Sequence, residues 1–106
     1  MGPIEKQLRE GMEAITEENW FQGAGVAPGR SSGGHGYPET ARYCAGNAIG
    51  FYTDVCALLA EANDLPVPQG SFSTAVIWWN NDSQTTYEDV ILGYKRAIEL
   101  AAERGI

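Results

Sequence analysis

Apolar side chains recur at Ile4, Leu8, Gly11/Met12 and Ile15, which is the spacing of one face of a helix, and Pro3 suits a first helical turn. The pattern predicts a helix over about residues 3–18, with Glu5, Glu10, Glu13, Glu17 and Glu18 off the stripe as a solvated acidic face. Ala41, Cys44/Ala45, Ala48, Tyr52, Val55/Cys56 and Leu59 extend the same period, so a long second helix is expected over about residues 39–62. Its first half is lined by small residues, with Gly46 and Gly50 among them, and is expected to be the most tightly packed part of the fold. Residues 63–70, with Pro66, Pro68 and Gly70, end that helix. Residues 72–79 mix strand-prone Val76-Ile77-Trp78-Trp79 with a capping serine at 71 or 73. An isolated strand there would find no partner, so a short helix is expected. Thr85-x-x-Glu88 and Thr86-x-x-Asp89 are both capping-box spacings. They precede Tyr87, Val90/Ile91, Tyr94, Ala97/Ile98 and Ala101, which predict a last helix over about residues 86–104.

Between the first two helices lies a glycine-rich loop, residues 23–38, with room for one short strand pair near Gln22 to Val26. Glycine costs a helix about 1 kcal/mol relative to alanine, which rules out regular helix here. Phosphate-cradle readings also fail. Gly29-Arg30-Ser31 lacks the lysine and the preceding glycine of a P-loop, and Gly23-x-Gly25 is followed by Pro28 where a dinucleotide fingerprint needs its third glycine. The expectation is one all-α domain over residues 1–106, with three to four helices and a long loop.

Composition narrows the function. Fourteen acidic against seven basic side chains leave a net charge of −7, which disfavours a nucleic-acid binder. Acidic mimicry of nucleic acid by the first helix is a weak further idea, since the charge is spread over the domain. No apolar stretch is long enough to span a bilayer, and the first residues lack a signal-peptide core. Cys44 and Cys56, placed 12 residues apart on one helix, would be separated by roughly 18 Å, too far for a disulfide. Two reduced thiols point to a cytoplasmic protein. With one histidine and no Cys-x-x-Cys, neither a metal site nor a cofactor is expected.

Two constellations carry candidate chemistry. Cys44 could act as a nucleophile with His35 as its base, although a thiol beside Ala45 and Ala48 reads more simply as core, and His35 between two glycines as an exposed loop residue. Trp20, Gln22, Trp78, Trp79 and Asn80 form the second. Structurally, Gln22 and Asn80 would satisfy helix-end backbone groups while the indoles seal the core. Functionally, they would form an aromatic-amide binding surface. Trp78 and Trp79 cannot both face inward from one short element, so one is a candidate anchor for a protein partner or a homodimer seam.

Trp20-x-Gln22-Gly23-Ala24, Ala41-Arg42-Tyr43-Cys44-Ala45 with Ala48-Ile49, Trp79-Asn80 and Thr86-x-x-Asp89-Val90 occur in an order that resembles a family of small proteins of unknown function from actinobacteria and their phages, mycobacteriophages included. The resemblance runs from the first helix to about Ala101. It departs at Asn47, where the family tends to have glycine, and at Asn81, where it tends to have aspartate. The resemblance implies a bacterial, plausibly phage-encoded setting and no mechanism. The function expected is a non-enzymatic protein-interaction module; the alternative is a small Cys44-dependent hydrolase or transferase.

Overall fold

A computed structural model describes residues 1–23 and 42–106. Residues 24–38 of the loop expected over 23–38, including the far end of the strand pair and His35, lie outside the described residues, as do residues 39–41 at the start of the expected second helix. Among the described residues there are four α-helices: α1 (Pro3–Ala14), α2 (Thr53–Ala62), α3 (Phe72–Asn81) and α4 (Tyr87–Arg104). The fold is all-α. Among the described residues, strand-like pairing is limited to one isolated parallel bridge between Trp20 and Tyr43.

The amphipathic period of α1 places Leu8 and Gly11 in the core, and Ile15 follows just past the helix. The helix stops at Ala14, short of the expected end near residue 18, because Asn19 turns the chain back, donating from Nδ2 to the Ala14 carbonyl at 2.9 Å and accepting from the Thr16 N–H at 2.8 Å. Glu5 departs from the expected solvated face: it is buried and paired with Arg9 at 2.8 Å. The carbonyl of Ile106 accepts the N–H groups of Ile4 and Glu5 at 2.6 and 3.4 Å, so the end of α4 caps the start of α1.

The long helix expected over residues 39–62 is corrected. Residues 42–52 are not α-helical, and α2 begins at Thr53. The Cys44 N–H donates to Asn47 Oδ1 at 2.8 Å, and the Asn47 N–H donates to the Cys44 sulfur at 3.3 Å, closing a local turn that does not continue as an α-helix. A short 3-10 helix, Asn47–Ile49, then ends at Gly50, where φ is 68°. Phe51 continues in the left-handed region at φ 53° and lays its ring against Gly46, where a Cβ would collide with it. The segment is nevertheless packed as expected, with Cys44, Ala45 and Ile49 buried. Tyr52, expected on the inner stripe, is instead 60% exposed.

α3 is capped by Ser71, whose hydroxyl accepts the Thr74 N–H at 3.2 Å. In α4 the Thr86-x-x-Asp89 box forms in both directions, at 3.1 and 3.0 Å. α4 packs on α1 and α2, and α2 packs on α3. Leu8, Ile49, Cys56, Leu59, Val76, Val90 and Tyr94 fill the centre.

Candidate functional site

The last turn of α3 is the meeting point of distant segments. Asn80 is fully buried, and its carboxamide uses all of its hydrogen-bonding capacity. Oδ1 accepts the Trp20 indole N–H at 2.7 Å and the Ala45 N–H at 2.9 Å. Nδ2 donates to the Phe21 carbonyl at 3.0 Å and to Asn81 Oδ1 at 3.2 Å. Asn81 Oδ1 also accepts the Gly23 N–H at 2.8 Å. The carboxamide of Gln22 donates to the carbonyls of Asn80, Asp82 and Thr85 at 3.0, 2.8 and 3.3 Å, taking up acceptors at the end of α3 and in the turn before α4.

Residues 20–23 and 43–45 are thereby tied to one helix end. The bridge between them adds Phe21 N–H to Tyr43 O at 3.1 Å and Tyr43 N–H to Asn19 O at 2.9 Å. Below the bridge, the buried Tyr94 hydroxyl donates to the Ala45 carbonyl. Trp20, Gln22 and Asn80 therefore converge as the sequence suggested, and their polar groups are engaged in holding the chain together.

The two adjacent tryptophans separate. Trp79 packs against the core, and its ring lies where a Cβ on Gly93 would fall. Trp78 points outward and is 60% exposed. Residues 66–87 around it carry a single charged side chain, Asp82. Trp78 is thus the member of the five-residue constellation whose side chain is largely free of the fold.

Cys44 and Cys56 are both free thiols and both buried. The helix-rise argument against their pairing no longer applies, because Cys44 precedes α2. Burial pushes the Cys44 thiol up, against a smaller opposing pull from the Asn47 N–H. Burial, with the Asp54 charge second, pushes Cys56 up to about 11. A nucleophilic cysteine needs the opposite shift and an open approach. Cys44 has neither, and its proposed base, His35, lies outside the described residues. Among the described residues no group of histidine, cysteine and acidic side chains is arranged to hold a metal ion.

Sequence reasoning placed Tyr52 on a buried stripe and did not single out Asp54. They line a cavity of about 200 Å³ with Pro3, Ile4, Gln7 and Val55, between the first turns of α1 and α2. The missed signal was the Asn47-x-x-Gly50 spacing, which ends the preceding turn and swings Tyr52 outward. No described helix is long and apolar enough to cross a membrane. No protein-family model, curated protein or solved structure matches the chain.

Proposed function

We propose that the chain is a non-enzymatic protein-interaction module whose contact residue is Trp78, flanked by the α3 surface. The observation that carries this reading is the contrast within one pair: Trp79 is consumed by the core, while Trp78 exposes 60% of its surface on a helix without a charged side chain. A large aromatic that contributes little to its own fold is the type of residue that dominates binding energy when a partner covers it. Trp20, Gln22 and Asn80 support the surface by fixing the end of α3, and do not themselves contact the partner.

The partner is a protein, either a host protein or a second copy of this chain. The resemblance to actinobacterial and phage proteins supports a bacterial cytoplasm as the setting. The test compares native protein with Trp78→Ala by light scattering and by retention of partners from actinobacterial lysate. Dimerisation or specific retention that Trp78→Ala abolishes supports the reading. A monomeric native protein that retains nothing beyond what Trp78→Ala retains overturns it.

A further inference from the structure

The cavity between α1 and α2 has a definite chemical character. Its floor is aliphatic, from Pro3, Ile4 and Val55, and its polar groups are the Gln7 carboxamide, the Tyr52 ring with its hydroxyl, and the Asp54 carboxylate. Asp54 is its one charged side chain, and no lysine or arginine lines it. Two helix N-termini meet here, which taken alone would suit an anion. Most of their first-turn donors are already engaged, and the Asp54 carboxylate brings a negative charge of its own to the site. Ile4 and Glu5 N–H bond to Ile106 O at 2.6 and 3.4 Å, and Lys6 N–H bonds to Gly2 O at 3.0 Å. On α2, Val55 N–H bonds to Asp54 Oδ1 at 2.9 Å and Cys56 N–H to Tyr52 O at 2.9 Å. The second carboxylate oxygen of Asp54 and the exposed ring of Tyr52 remain for a ligand.

We propose that this cavity binds an alkylammonium group, either as a free amine or as the lysine side chain of another protein. The Asp54 carboxylate supplies the countercharge, and the Tyr52 ring attracts the cation through its π face. The aliphatic floor takes the methylenes. The net charge of −7 raises the local concentration of such cations. The volume accommodates a group of side-chain size and is too small for an extended ligand. The site is separate from the Trp78 surface, and either can fail without the other.

Two-dimensional NMR titrations test the proposal. The probes are n-butylammonium, N-acetyl-lysine methylamide, its ε-acetylated form and acetate. Saturating shifts at the amides of Gln7, Tyr52, Asp54 and Val55 are expected with the two cations and not with the ε-acetylated form. Asp54→Asn preserves an acceptor for the Val55 N–H and is expected to weaken binding about three- to tenfold, as is Tyr52→Leu, whereas Tyr52→Phe retains it. Tighter binding of the lysine derivative than of butylammonium identifies a protein lysine as the source; equal binding identifies a free amine. Three results overturn the site: no saturable shift with either cation, undiminished binding by Asp54→Asn, or saturation by acetate in place of the cations.

Discussion

The carboxamide oxygen of Asn80 accepts the indole N–H of Trp20 at 2.7 Å across 60 residues of sequence, at a site with no solvent exposure. The same oxygen takes the Ala45 N–H, so one side chain holds three parts of the chain in register. Asn80→Ala would strand those two donors and the Phe21 carbonyl. Each buried group left unsatisfied costs about 1–3 kcal/mol, so a total loss of about 3–5 kcal/mol is expected, read as a lower urea midpoint. Trp20→Phe removes one donor and leaves the oxygen bonded to Ala45, and a loss near 1 kcal/mol from the hydrogen bond is expected. Equal urea midpoints for the wild type and Asn80→Ala would refute the network's role.

Gly93 lies under Trp79. A Cβ there would come within 2.5 Å of the Trp79 ring and 3.1 Å of Asn63 Oδ1. Alanine favours a helix over glycine by about 1 kcal/mol, but overpacking of this kind costs about 1–3 kcal/mol. Gly93→Ala is therefore expected to lower the thermal midpoint despite the better helix former. Gly11→Ala, facing Ile49 Cγ2 at 2.7 Å and Tyr94 Cε2 at 3.1 Å, is expected to behave the same way.

The buried thiols predict how stability varies with pH. Cys56 is raised from its ordinary value of 9.0 to about 11, and Cys44 is also raised, both mainly by burial. Tyr94, likewise raised well above the ordinary phenol value by burial, shifts the balance in the same direction. The folded protein keeps these protons to higher pH than the unfolded chain does. Their contribution is therefore complete below about pH 9 and declines as pH rises toward about 11. Urea midpoints at about pH 8 and about pH 10.5 should differ in that direction. Iodoacetamide should label either cysteine no faster than the protein unfolds; rapid labelling of Cys44 in the native state would restore its candidacy as a nucleophile.

Trp78 and Trp79 should differ as reporters. Acrylamide quenching of the native fluorescence should fall most in Trp78→Phe, with stability changed by no more than about 0.5 kcal/mol, as for surface positions generally. Trp79→Ala should instead cost about 3 kcal/mol through lost packing against the core. Comparable destabilisation by the two substitutions would contradict their opposite placement.

The helices with ordinary signals were legible. Pro3 with the Ile4–Leu8–Ile15 stripe, Ser71 before the α3 run, and Thr86 with Asp89 each state a boundary through local hydrogen bonding. Residues 42–52 were not, because apolar residues at helical spacing there satisfy burial equally well in a compact turn. Asn47 decides between the two by bonding to Cys44 at both its backbone and its side chain, and Gly50 then ends the turn in the left-handed region. Buried Glu5 escaped for a related reason: the hydrophobic period cannot show that Arg9, one turn later, will neutralise it. The convergence of Trp20, Gln22 and Asn80 was suggested by their positions at element ends. That their polar atoms would be fully occupied depends on tertiary register, which periodicity does not encode.

Because Asn80 and Asn81 grip the backbone at Phe21 and Gly23 while Asn80 also grips Ala45, two stretches far apart in sequence share one anchorage at the end of α3. Loosening that anchorage would release residues 20–23 and 43–45 together, so a single change at Asn80 should appear as a joint loss of amide-exchange protection in both stretches.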